Sequence, residues 1–128
     1  MNLNQVTVPS VDVAQSIAFY KKLGLQLIVE ALPHYARFEC LEGNATFSIH
    51  QVEKLPQSDG VYVYFETEKL DQEVERLINE GIKFDHLPKD QTWLWREARL
   101  KDPDGNPIIL YFAGNNRKNP PWRVDKTV

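Results

Sequence analysis

The sequence is short of most of what would place it in a specialised class. Cys40 is its one cysteine, which leaves no disulfide framework and no thiolate metal cluster and points to a reducing, cytoplasmic setting. No apolar run approaches the roughly 18 residues that a membrane span needs. The opening Met1-Asn2-Leu3-Asn4-Gln5 lacks the charged and apolar regions of a secretion signal. Positive charge is not in excess: 15 Lys and Arg stand against 18 Asp and Glu, a net charge of −3, so neither nucleic acid nor an anionic membrane is an expected partner.

What remains suits one domain over 1–128. The hydrophobic fraction of 42% is enough for a real core at this length. Leu3 to Val8 reads as a strand ended by Pro9. Ser10 and Asp12 are helix-capping types, Val13, Ile17 and Tyr20 follow at helical spacing, and Gly24 supplies a left-handed terminus. Leu25 to Val29, His34 to Leu41 and Ala45 to Gln51 read as three strands, divided by Leu32-Pro33 and Glu42-Gly43-Asn44.

The order then repeats. Val61 to Thr67 is a strand, Leu70, Val74, Leu77 and Ile78 mark a helical stripe closed by Gly81, and Ile82 to Leu87, Thr92 to Lys101 and Pro107 to Phe112 supply three strands. Gln5 stands as far before Gly24 as Tyr62 does before Gly81. Val13, Ile17 and Tyr20 map onto Leu70, Val74 and Leu77 at one constant offset, the pattern of a duplication. The modules are 1–55 and 60–113, joined through Leu55 to Gly60, with an extended tail over 114–128 in which Trp122 follows two prolines.

The last hairpin carries the most specific signal. Asp102-Pro103-Asp104-Gly105-Asn106-Pro107 is a tight turn that feeds Ile108-Ile109-Leu110-Tyr111-Phe112. With Ser16-Ile17-Ala18-Phe19-Tyr20 and the Leu23-Gly24 ending, it resembles the vicinal oxygen chelate superfamily, which includes glyoxalases, bleomycin-resistance proteins and extradiol dioxygenases. The resemblance covers residues 2 to 113. It implies an α+β fold of two tandem βαβββ modules, making a cupped, half-barrel-like mixed sheet with helices on its outer face. It also implies a homodimer.

The metal-using relatives take four ligands from four strands, and the resemblance places these on Gln5, Ser48, Tyr62 and Ile109. An aliphatic side chain at 109 donates nothing, so no metal or other cofactor is expected at the usual site. A divalent ion is left only a rearranged set, His50, Glu66 and Glu97.

If the four family positions face inward, strand parity brings Thr7, Thr46, His50, Tyr64, Glu66 and Tyr111 to the same side. Val6, Val8, Phe47, Ile49, Val61, Val63, Phe65, Ile108, Leu110 and Phe112 then face the helices. Ala98 and Leu100 fit the helix side too, leaving Trp93, Trp95, Glu97 and Arg99 inward and Arg96 awkwardly placed. The expected ligand-binding set is Gln5, Ser48, His50, Tyr62, Tyr64, Glu66, Trp93, Trp95, Glu97, Arg99 and Tyr111.

Aromatic walls with a few polar groups suit a small organic molecule. The first reading is therefore a binding protein of the bleomycin-resistance type, taking an aromatic or cationic ligand selected by Glu66 or Glu97. The alternative is a glyoxalase- or dioxygenase-like enzyme. His50 or Glu97 would then move a proton, and Arg99 or Tyr62 would stabilise an enolate-like oxygen. A module with no ligand is the third reading.

Overall fold

The element order in the computed structural model, which describes residues 1–124, is β-α-β-β-β twice over. In the first half these are β1 (Gln5–Ser10), α1 (Val13–Leu23), β2 (Gln26–Ala31), β3 (Tyr35–Glu39) and β4 (Thr46–Gln51). The second half has β5 (Val63–Glu66), α2 (Leu70–Asn79), β6 (His86–Asp90), β7 (Arg96–Lys101) and β8 (Pro107–Phe112). Each half builds a four-stranded mixed sheet, ordered β1-β4-β3-β2 and β5-β8-β7-β6, with one parallel pair, β1 with β4 and β5 with β8. The α+β class and the two modules are as the sequence implied. The last four residues of the expected tail, 125–128, lie outside the described residues.

Two compact units partition the chain. One comprises Met1–Val61 with Lys101–Pro107, and the other comprises Tyr62–Leu100 with the chain from Ile108 onward. The turn that carries the superfamily-like motif thus belongs to the first unit, although its strands begin and end in the second.

In the first unit α1 starts at Asp12, whose carboxylate accepts the Gln15 amide at 3.1 Å, as a helix N-cap does. Its stripe of Val13, Ile17 and Tyr20 is buried, with Val8, Ala36, Phe38, Phe47 and Ile49 of the sheet also buried. The Tyr20 and Phe47 rings lie 4.5 Å apart between centroids. Gly24 ends α1 at φ 112°, and the Leu25 amide closes back on the Tyr20 carbonyl at 3.1 Å. In the second unit Gly81 and the Ile82 amide on the Leu77 carbonyl repeat that ending position for position. Leu70, Val74 and Leu77 are buried likewise, whereas Ile78 is exposed.

Several strand boundaries differ from the expectation, and four of the differences have a clear local reason. β1 runs through Pro9, which is tolerated because β1 is the edge of its sheet. β6 starts at His86 instead of Ile82, because Ile82 is still occupied in closing α2 and pairing begins only where the Asp85 amide reaches the Arg99 carbonyl at 2.8 Å. Residues 92–94 form the turn before β7, with Leu94 at φ 68° and the Gln91 amide bonded to the Trp95 carbonyl, so Trp93 sits at a turn and not in a strand. Val61 and Tyr62 precede β5, and Val61 is exposed instead of facing a helix. Among the described residues no helix is long and apolar enough to cross a membrane.

Candidate functional site

The motif in the last turn is a latch within the first unit. The Asp102 carboxylate accepts four hydrogen bonds: from the Tyr20 hydroxyl at 2.6 Å, the Asn106 side chain at 2.8 Å, and the Asp104 and Asn106 amides at 2.9 Å each. Asp104 takes the Ser16 hydroxyl at 2.8 Å and the Val11 amide at 2.9 Å, and Asn106 donates to the Pro9 carbonyl at 3.0 Å. Burial and the neighbouring Asp102 charge push the Tyr20 phenol far up, so it stays protonated. These signature residues serve the fold, and the chemistry must be sought on the sheet faces.

On the first sheet the register puts Gln5, Thr7, Thr46, Ser48 and His50 on one face, as expected, and adds Tyr35 and Arg37, which the sequence reading missed. Ser48 is fully buried, and its hydroxyl lies 2.7 Å from the Tyr35 oxygen. Arg37 Nε donates to that same oxygen at 2.9 Å, with its guanidinium carbon 5.5 Å from the Tyr35 ring centre. Burial pushes the Tyr35 phenol up, but hydrogen bonds from Ser48, Arg37 and Gln5 and the Arg37 charge outweigh it and hold the group below its ordinary value. Gln5 Oε1 accepts the Thr46 hydroxyl at 2.7 Å. His50 is exposed at the end of this face, opposite Tyr35. The alternation Tyr35-Ala36-Arg37-Phe38 was the available signal, since Ala36 and Phe38 are wholly buried.

The second sheet presents an aromatic face. Trp95 stacks on Tyr111 at 4.7 Å with planes 20° apart, and Tyr64 stands edge-on to both, at 5.9 Å from Trp95 and 5.5 Å from Tyr111. Ile109, Tyr111 and Ala113 are buried as one cluster with Trp95 against it, while Tyr64 is 45% exposed. Burial, and then the Glu66 charge, push the Tyr111 phenol up. Tyr62 and Trp93 are half exposed.

The charged members of this face are already engaged. Glu66 Oε2 accepts the Ala113 and Gly114 amides at 2.8 and 2.9 Å, tying β5 to the short 3-10 turn Gly114–Asn116. Glu97 is buried and accepts the Trp93 indole at 2.7 Å and Arg99 at 3.3 Å. Arg96 points to the helix side, where Asp71 of α2 and Asp90 pair with it at 3.0 Å each and raise its pKa.

At the positions that the resemblance assigns to metal ligands, Ile109 is a buried hydrocarbon, the Ser48 hydroxyl is taken by Tyr35, the Gln5 carbonyl is taken by Thr46, and Tyr62 is half exposed. Among the described residues no three His, Cys, Asp or Glu side chains converge as a metal cluster would.

Comparison with known proteins agrees with this arrangement at the level of the fold. Residues 2–110 match the model of the Glyoxalase/Bleomycin resistance protein/Dioxygenase superfamily, and the chain belongs to that superfamily. It is similar to a glyoxalase/bleomycin resistance protein/dioxygenase from Nocardioides, at 24% identity and TM-score 0.73, over 88% of this chain and 83% of that one. A bleomycin-binding protein solved with bleomycin gives 20% identity and TM-score 0.72 over 88% and 98%. Lactoylglutathione lyase from Agrobacterium tumefaciens gives 15% and 0.72 over 87% and 92%. No curated protein sequence matches the chain.

Proposed function

We propose that this protein binds a small aromatic organic molecule, in the manner of the bleomycin-resistance branch, without a metal ion or other cofactor. The observation that carries this reading is the Tyr64–Trp95–Tyr111 cluster, in which an exposed Tyr64 ring stands beside a stacked pair. Such a surface offers planar ligands a rigid stacking partner at little entropic cost. A similar fold binds bleomycin in one of its neighbours. Selection of a cation by Glu66 or Glu97 carries less weight, because both carboxylates already hold donors. Acid–base chemistry through His50, Glu97 and Arg99 is the alternative, and it would require Glu97 to leave Trp93 and Arg99.

The test is tryptophan fluorescence across a panel of aromatic cations and aromatic oxo-acids, with wild type and Trp95→Leu. Saturable quenching that the variant loses is the expected result. A flat response to every compound refutes the proposal. We also propose a cytoplasmic homodimer, which a sedimentation mass equal to one chain at micromolar concentration would contradict.

A further inference from the structure

Of the arginines on the two sheets, Arg96 and Arg99 have carboxylate partners, and so do Arg76 of α2 and Arg117 beyond β8. Arg37 has none among the described residues. It is half-buried on β3, and among the described residues its one hydrogen bond, from Nε to the Tyr35 oxygen at 2.9 Å, leaves both terminal nitrogens of the guanidinium without an acceptor. A partly buried guanidinium with no carboxylate partner among the described residues keeps an unmatched charge.

Among the described residues its surroundings supply donors and no bound carboxylate. The Tyr35 hydroxyl lies beside it, fixed from beneath by the fully buried Ser48, and the Gln5 side chain reaches the same phenol. The guanidinium plane is thereby held by the Nε bond, so its open edge is pre-oriented. A planar fork with two free N–H groups matches the two oxygens of a carboxylate.

We propose that Arg37 and Tyr35 form a recognition site for a small carboxylate, with the free edge of Arg37 as the anchor and the Tyr35 hydroxyl as the adjoining polar contact. The site stands on the first unit alone and does not depend on the aromatic cluster of the second.

Propionate tests it, because propionate has a carboxylate and no ring; propionamide is the uncharged isostere. Titrated by NMR on protein with labelled tyrosine and arginine, propionate is expected to shift the Arg37 Nε–H and the Tyr35 ring signals saturably, and propionamide to leave them in place. Arg37→Gln, followed on the Tyr35 signal, should weaken binding at least ten-fold, about 1.4 kcal/mol. Should that variant not fold, Arg37→Lys keeps the charge, loses the fork and should still weaken binding several-fold. Shifts that never saturate, an equal response to propionamide, or full affinity in a folded Arg37 variant would each overturn the proposal. Loss of aromatic quenching would leave it standing.

Discussion

Tyr20 in α1 donates a 2.6 Å hydrogen bond to Asp102, a residue 82 positions further along the chain, and both are buried. That bond joins the two stretches of sequence that carry the resemblance to the superfamily. Each had been legible only as a local feature, one a helix and the other a turn. Their pairing explains why both belong to one signature: the phenol needs an acceptor in the core, and the Asp102 carboxylate needs donors.

Tyr20→Phe should therefore lower unfolding stability by about 1.5–3 kcal/mol, the range for a hydrogen bond to a charged group. Urea denaturation measures it, as a lower midpoint with an unchanged slope. An unaltered midpoint would mean that the bond adds nothing.

Alkaline pH should act on the same group. The folded-state pKa of Tyr20 is raised, so its contribution is fully present below the ordinary tyrosine value of about 10 and is lost as pH climbs above it, where the unfolded chain ionises first. Tyr111, also raised, pulls in the same direction. The thermal midpoint should fall above about pH 10, and less steeply in Tyr20→Phe.

Glu66 holds two backbone amides beyond β8. Glu66→Ala should make the Ala113 and Gly114 amides exchange with solvent at least ten-fold faster, at a cost of about 1–3 kcal/mol. Hydrogen exchange read by NMR distinguishes this from a purely ligand-selecting carboxylate, whose removal would leave those rates alone.

Trp95 and Tyr111 stack on the face assigned to the ligand. Tyr111→Ala removes a buried ring and should cost about 3–5 kcal/mol, along with aromatic quenching of Trp95. Tyr111→Phe keeps the stack, so quenching should persist.

Burial raises the Cys40 thiol, so little thiolate is present near neutrality. A disulfide reagent at pH 7.5 should modify Cys40 several-fold more slowly than it does glutathione. An equal or faster rate would contradict the raised value.

Much of the fold was readable because it rests on short-range patterns. The stripes Val13-Ile17-Tyr20 and Leu70-Val74-Leu77 are buried as their spacing implied, and Gly24 and Gly81 end their helices with the same backbone bonds. Parity set Trp93 and Glu97 on one side of a strand, but Trp93 lies in the turn before it, and its bond to Glu97 was not foreseen. Arg96 looked misplaced because its partner Asp71 is on another element, and one strand's alternation cannot reveal it. Tyr35 and Arg37 escaped notice for a similar reason. Their importance depends on the register of β3 against β4, which sets them beside Ser48 and His50 and is fixed only when the sheet assembles.

The latch from Lys101–Pro107 has a consequence for how this protein is made. During synthesis the first sheet and α1 leave the ribosome long before Asp102, Asp104 and Asn106 exist, so for that interval Tyr20 and Ser16 have no carboxylates to bond. The first unit is thus finished by a turn that is made much later. A fragment ending at Val61 should emerge as a loosened, chaperone-dependent intermediate, and supplying the missing turn in trans should tighten it.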